Sequence, residues 1–522
     1  MKKISELYQQ LNEDKLILIL TLLGALLAWR IIYIQQGWVN VDSLIYFEAA
    51  RLFSIGEWKQ GIATFAWPLY SLLISAVQRL TNLSIQTSAQ LLDIVFFTIT
   101  TFSFTKLIQL AGGNKLTILC GAFLLFSSSY IVGDILPMLL RDQGFWAAFL
   151  TSLVFFIQFY RRKRLSNALL WQVSAIIAML FRIEAITFLV CLPILLMFKS
   201  EYSLKEKVKQ IAIINAIPIL SVLLIIGALI TIPSVTLSDF GRTQEVISIM
   251  SDISNTFSIK AALMGNVLGN YFADYGLIGL VATLLSILIL KMINLIGWPI
   301  IGLYALNHAN KDARAPTWQM QTDTRIIFYS VIVLAIINAC ASLARVFILS
   351  NRYIIAVGFI ALIFAAFCLA PLINSLRTNR FSNQWQKWLT ILLVVIFSLS
   401  FIKNILPKKE GYNFEQDAVA YVKQQQIPND KVFFVTDKSI YYAGAKYTAR
   451  RSDHWQLIKN AIDDGTIYKY NCLMLYVEID ESLAEKEKLF ADKLAQYHLE
   501  QEFYGVNGKK KIMLYVKNSA LR

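Results

Sequence analysis

The chain has 522 residues, 57% of them hydrophobic and only 16% charged, with a formal net charge of +15. Charged residues make up about a quarter of a soluble globular protein, so that class is excluded and a polytopic helical membrane protein is predicted. Much of the positive excess lies beside apolar runs, as the positive-inside rule requires, which argues for membrane orientation and against nucleic-acid binding.

Apolar runs of roughly 20 residues recur, each long enough to cross a hydrocarbon core of about 30 Å. The first is predicted from Lys15 to Gln35. Lys2, Lys3 and Lys15 place its start in the cytoplasm and Asp42 outside. No small-residue cleavage site follows it, so it reads as a retained span. Residues 36–85 mix charges with Trp38, Trp58 and Trp67. Aromatic rings favour the membrane interface, which predicts one or two helices lying along the outer surface. Span two is predicted over Gln86–Leu110 and span three over Leu116–Leu136, joined by the turn Gly112-Gly113-Asn114-Lys115. Arg141 and Asp142 fall in a short outer connection before span four, Phe145–Tyr160, and "RRKR" at Arg161–Arg164 marks the cytoplasm.

The apolar stretch from Ala168 to Phe198 has basic segments at both ends. One straight span would put a basic flank on the wrong side, so a hairpin of two short helices meeting near Arg182 and Glu184 is predicted. A span over Ile211–Ile232 leads to an outer loop at 233–270, in which Arg242 and Lys260 read as solvated. The stretch Tyr271–Leu306, interrupted by Lys291 and Asn294, is taken as one crossing plus an interfacial helix, two crossings being the alternative. Spans follow over Ile326–Ala344, Ile354–Leu372 and Trp388–Leu406. That makes about 11 crossings by this length criterion, a transmembrane portion at 1–406, and an extracytoplasmic portion at 407–522. "KVFFVTD", "CLMLYVEI" and "KKIMLYVK" are short β-rich runs with helical stretches between them, which predicts a small α/β domain. It has no glycine-rich phosphate loop. Five cysteines and three scattered histidines form no disulfide framework or zinc set.

Several polar residues stand out against this background. Asp42, followed by Ser43, has a plain reading as a helix N-cap. Asp142 has the same reading for span four, and Arg141 that of an interfacial anchor. Arg182 and Glu184 sit in an apolar stretch, where charges are costly and are functional or paired with each other. Arg352 opens a late span, its plain role being to snorkel to lipid phosphate. Glu48 reads equally as a solvated face residue, and Trp67 as an interface anchor.

The run Asp42, Tyr46, Glu48, Ala50, Gly56 and then "WPLYSLLISAVQRL" resembles the first outer loop of the GT-C glycosyltransferases. The similarity is nearest to the protein-mannosyltransferase branch, which includes bacterial aminoarabinose transferases acting on lipid A. "LPMLLRDQGFWAAFLTSLVFF" is similar to that family's later acidic segment, and "AMLFRIEAITFLVCLPILLMF" to its short hairpin. "SNRYIIAVGFIALIFAAF", with Arg352 and Tyr353, resembles the Arg-Tyr that opens a late span. The resemblance implies transfer of a sugar from a polyprenyl-phosphate donor to an acceptor on the outer side of the plasma (inner) membrane. It implies Asp42 and Asp142 as catalytic acids and Arg352, Arg182 and Arg141 as donor-phosphate ligands. Glu48, Tyr46, Glu184 and Tyr353 would support them. The chemistry agrees: a carboxylate takes the proton of an attacking hydroxyl, and guanidinium groups match phosphate oxygens in a two-pronged way. Two departures stand out. Ser43 follows Asp42 where Glu is usual, and Ala66-Trp67 precede Pro68 where the aminoarabinose branch has a Glu-Lys pair. They leave both that branch's acceptor and a divalent metal as open questions. The alternatives are a transporter or flippase for a lipid-linked saccharide, and a non-catalytic binder of such lipids.

Overall fold

The computed structural model describes residues 11–231, 243–309, 320–381, 383–447 and 453–518, without the side chains of 243–252. Arg242 lies outside these residues. Two compact units are present. Unit 1 comprises residues up to 28 together with 93–136 and 141–404, and unit 2 comprises 29–92, 137–140 and 405 onward.

The helices in chain order are α1 (Glu13–Tyr33), α2 (Val41–Ser54), α3 (Trp58–Thr64), α4 (Leu69–Thr81), α5 (Ile85–Leu110) and α6 (Lys115–Ser127). A π-helical segment, Ser129–Ile135, and a 3-10 turn, Leu136–Met138, follow α6. Next come α7 (Asp142–Arg162), α8 (Leu165–Phe181), α9 (Ala185–Cys191) with the 3-10 segment Leu192–Phe198, α10 (Leu204–Ile214), α11 (Ala216–Thr231) and α12 (Thr243–Leu268). The series continues with α13 (Gly276–Ile296), α14 (Trp298–Ala309), α15 (Thr322–Val346), α16 (Ile355–Thr378) and α17 (Gln384–Ile405).

Among the described residues, seven helices are long and apolar enough to cross a membrane, or up to nine if two bent pairs each count as one span. The protein is a multi-pass membrane protein. The expected count of about eleven exceeds nine by the two arms of the hairpin at 165–198, which are apolar but short. The 17 residues of α8 rise only about 26 Å at about 1.5 Å each, against a core of about 30 Å. The hairpin itself is as expected, with its break at Arg182-Ile183-Glu184. Residues 270–296 form one crossing-length element, and α14, with 12 residues, is too short to span. The expected loop at 233–270 is a helix over most of its length, α12. Between α1 and α5 there are three helices, not one or two, because Gly56 (φ +88°) and Pro68 interrupt the run twice.

Two apolar helix pairs are bent at a break, and unit 1 satisfies the freed backbone groups internally, as apolar surroundings demand. The α6 span bends by 40° after Ser127. Ser128 is extended and its hydroxyl caps the next segment at Ile131 N–H. Ser400 and Asn404 of α17 supply the missing donors: Ser400 Oγ donates to Ser127 O (2.7 Å), and Asn404 Nδ2 donates to Phe126 O (3.2 Å) and Ser128 O (3.3 Å). The α10–α11 pair bends by 72° at Asn215. Pro218 explains it, since its ring clashes with the carbonyl four residues back and it offers no N–H. Buried Gln172 of α8 mends the gap: its Oε1 accepts from Ile217 N–H (2.6 Å) and its Nε2 donates to Ile213 O (3.2 Å).

Unit 2 carries a four-stranded mixed sheet. Its elements in chain order are α18 (Phe414–Gln424), β1 (Val432–Phe434), α19 (Asp437–Ala443), α20 (His454–Asp463), β2 (Cys472–Glu478), α21 (Leu483–Lys493), β3 (Tyr497–Tyr504) and β4 (Lys510–Lys517). The strand order is β1-β2-β4-β3, with β1 parallel to β2 and the other pairs antiparallel. Both faces are covered, which is why three strands read as near-continuous apolar runs and not as alternation. Phe433, Leu473, Leu475 and Met513 pack with Ile458, Ile462 and Phe490. Val432, Cys472, Met474 and Leu514 face the other way onto Val419, Val422 and Ile440. The strand β3 was not expected: it is a partly exposed edge that mixes His498, Glu500, Gln501 and Glu502 with aromatic and apolar residues. In the same unit α2 packs on α4, and Arg79 Nη2 of α4 caps the last turn of α2 at Phe53 O (2.9 Å) and Ser54 O (2.7 Å).

Candidate functional site

The close approach of α7 and α8 begins at Gly144. A Cβ there would lie 2.3 Å from the Phe181 ring, so only glycine admits this packing. Phe181 ends α8, and Arg182 then turns into an extended conformation (φ −146°, ψ 121°). The chain reversal carries the Arg182 guanidinium onto the first turn of α7, where Asp142 sits.

There Arg182 Nη1 donates to Asp142 Oδ1, and Arg182 Nη2 donates to Glu184 Oε1 at 3.1 Å. Arg352 approaches from 170 residues further along, its Nη1 3.6 Å from Asp142 Oδ2. Its backbone is fixed by Ser350, whose hydroxyl accepts from Arg352 N–H as the cap of the turn Asn351–Ile354. The Tyr353 ring lies under Arg182, with Cζ 4.8 Å from the ring centroid, a distance at which the ring face attracts the cation. The Asp142 side chain is 1% exposed and that of Arg182 6%, whereas Arg352 keeps 29%. Two guanidinium groups from distant segments thus share one buried carboxylate, and the outer guanidinium stays accessible. The N-terminus of α7 adds partial positive charge beside Asp142.

Asp142 is therefore not the N-cap of its helix. Arg141 occupies that position, the helix starting one residue earlier than an Asp cap would need, and makes no side-chain cap bond because a guanidinium has no acceptor. Arg141 adjoins the cluster in sequence. The expected pairing of Arg182 with Glu184 is present, and Asp142 is a second partner. Two contributors escaped the sequence reading. Asn338 of α15 donates through Nδ2 to Glu184 O (2.9 Å) and accepts from Thr187 Oγ1 (2.6 Å), which ties the hairpin tip to α15. An asparagine within the apolar run "VLAIINACA" is the signal that points to it. Tyr130, in the π-helical segment, lies within electrostatic reach of Asp142, Arg182 and Arg352.

Tyr130 also lines a cavity of about 390 Å³ in unit 1. Leu124, Leu362, Ile396 and Phe397 make its walls apolar, while Ser129, Ser400 and Lys403 give it polar groups. Apolar depth with a few placed polar groups suits a ligand that is itself amphipathic.

The remaining expected residues, Asp42, Tyr46 and Glu48, stand on α2 in unit 2. Asn40, not Asp42, is the N-cap of α2: its side chain accepts from Asp42 N–H at 2.9 Å. Asp42 takes the first helical turn and is half-buried. Tyr46 is buried between the rings of Phe65 (4.8 Å) and Tyr70 (5.5 Å), so its visible role is packing. Glu48 receives both Nε and Nη2 of Arg51 at 2.9 and 2.7 Å. Glu48, Arg51, Glu57, Gln60 and Lys446 line an open groove of about 710 Å³ in this unit. Lys260, expected in solvent, is exposed. Among the described residues no three His, Cys, Asp or Glu side chains gather as a metal-holding group.

No family model and no curated protein matches the sequence. Among solved structures the chain is similar to ArnT from Cupriavidus metallidurans bound to undecaprenyl phosphate. The two are 11% identical, 96% of this chain and 98% of that chain are covered, and the TM-score is 0.49.

Proposed function

We propose that this protein is an integral membrane glycosyltransferase that moves a sugar from a polyprenyl-phosphate donor to an acceptor on the outer side of the plasma membrane. The observation that carries the reading is the convergence of Arg182 and Arg352 on buried Asp142, in a unit that also holds an apolar cavity lined in part by Tyr130. A lipid phosphate needs both halves of this arrangement: cations for the head and an apolar volume for the tail.

In this reading the acceptor hydroxyl attacks the anomeric carbon, the bond from that carbon to the phosphate oxygen breaks, and the polyprenyl phosphate departs. Arg352 meets the phosphate and stabilises the charge that grows on it, the kind of electrostatic help that is often the largest catalytic contribution. Arg141 is a further candidate for the same phosphate. Asp142 acts as a positioning residue: a carboxylate so enclosed holds its guanidinium partners in place. Glu184, Tyr353 and Asn338 fix Arg182 in turn. Asp42 is the proposed base for the acceptor proton, and Glu48 borders a polar groove suited to the acceptor's head. The segment from 407 on would face the extracytoplasmic side.

The test is mass spectrometry of envelope lipids and glycans from cells with the gene, without it, and with Asp42→Asn or Arg352→Ala. A mass increment of one glycosyl residue that needs the gene and both side chains is expected. Identical spectra with and without the gene would reject the transferase reading. An increment that survives Asp42→Asn rejects Asp42 as the base.

A further inference from the structure

Around the end of α7 and along α10, four exposed apolar side chains are each next in sequence to a cation. The pairs are Arg164 with Leu165, Phe198 with Lys199, Leu204 with Lys205, and Val208 with Lys209. The apolar members are far from marginal: Leu165 is 61% exposed, Phe198 78%, Leu204 67% and Val208 55%. Bulk water does not favour such large apolar groups, and a hydrocarbon core does not favour the cations. One environment takes both, the boundary between the acyl chains and the headgroups of a bilayer.

The local structure supports that placement. The helix α10 is short, carries Lys205, Lys207 and Lys209, and is turned by 72° from α11, which carries no charge. A short basic helix bent away from a span has the form of one lying in the interface plane. Beside it two ammonium groups gather at one ring: Lys163 Nζ is 3.2 Å from the Tyr202 centroid and Lys199 Nζ is 5.5 Å from it. Lys199 is further held by the Tyr160 carbonyl at 2.7 Å. Arg162 and Arg164 add exposed charge, and the acids nearby in sequence are Glu201 and Glu206, of which Glu206 pairs with Lys163 at 3.3 Å. The result is a surface with a clear positive excess that is also greasy.

We infer that the surface formed by the end of α7, the 198–202 turn and α10 is a binding surface for anionic phospholipid headgroups. Each lysine near an anionic bilayer surface strengthens attraction by an amount that falls off within a Debye length, so the binding must be selective for anionic lipid and sensitive to salt. This inference is independent of the proposed transferase activity.

The experiment uses the full chain in detergent, titrated with dioleoylphosphatidylglycerol or dioleoylphosphatidylcholine and read by native mass spectrometry. The unaltered protein is expected to retain the anionic lipid in preference, and to lose that preference as salt rises. Lys205→Gln/Lys207→Gln/Lys209→Gln is expected to weaken retention of the anionic lipid by at least about tenfold, leaving the zwitterionic lipid unaffected. The charge-preserving Lys→Arg triple variant should behave as the parent. Equal retention of the two lipids by the unaltered protein, or a preference that salt does not diminish, overturns the inference without recourse to any variant. Unchanged anionic binding in the Gln triple variant overturns the assignment to α10.

Discussion

Replacing Asp142 by alanine removes the carboxylate that Arg182 and Arg352 share. At an effective dielectric of about 20, opposite charges about 4 Å apart attract by about 4 kcal/mol. In the intact cluster most of that is offset by the cost of taking the charges out of water. The offset does not vanish when the carboxylate goes, because the Arg182 side chain remains only 6% exposed. Removing one partner of such a buried pair costs about 3–5 kcal/mol, and Glu184, 3.1 Å from Arg182, should hold the loss near the lower end. Arg182→Ala strands Asp142 at 1% exposure and should cost about as much. Arg352→Ala should cost only about 1 kcal/mol, since its side chain is 29% exposed and its contact to Asp142 is 3.6 Å long. The Asp142→Ala/Arg182→Ala double variant should fall short of the sum of the singles by about 1–3 kcal/mol. Reversible unfolding in mixed detergent micelles measures all four. The reasoning fails if Asp142→Ala costs under about 1 kcal/mol, if Arg352→Ala costs more than Arg182→Ala, or if the double variant is additive.

Three other expectations rest on separate observations. Gly144→Ala puts a methyl group 2.3 Å from the Phe181 ring, and overpacking of this kind costs about 1–3 kcal/mol. The same unfolding assay should show that loss, and binding of a polyprenyl phosphate should weaken with it because the cluster at Asp142 and Arg182 depends on this packing. Asn404→Leu leaves the carbonyls of Phe126 and Ser128 without these donors and should cost about 1–3 kcal/mol; a variant as stable as the parent would refute the account of the broken α6 span. His454, whose ring packs edge-on against Tyr476, has its pKa held below the usual 6.5 by burial. Between the lowered folded value and about 6.5 the unfolded chain binds more protons, so stability falls as pH drops through that window. Melting curves at pH 7.5 and 5.5 should therefore show a smaller acid penalty for His454→Gln than for the parent.

The amino-acid sequence determined the class of protein and the course of the chain. Burial in lipid demands long uninterrupted apolar runs, so α1, α5, α7, α15 and α17 were legible from composition alone to within a few residues, and α16 was too except that it runs six residues past the expected end. The hairpin break at Arg182 and Glu184 was legible too, because charges in an apolar run are costly enough to announce themselves. Amphipathic or polar elements gave no such signal: α12 read as a loop, and the partly exposed edge strand β3 vanished into its flanking turns. The sequence also singled out Asp142, Arg182 and Arg352 and the pairing of Arg182 with Glu184, yet not the sharing of Asp142 by two arginines. An ion pair depends on distances of a few ångströms between segments up to 210 residues apart, and those distances come from packing. Gly144 against Phe181 brings α8 onto α7, Asn338 pins the hairpin tip, and Ser350 sets the turn that presents Arg352. The tertiary structure alone decided that Arg182 answers to Asp142 as well as to Glu184, and that Arg352 is the guanidinium left accessible.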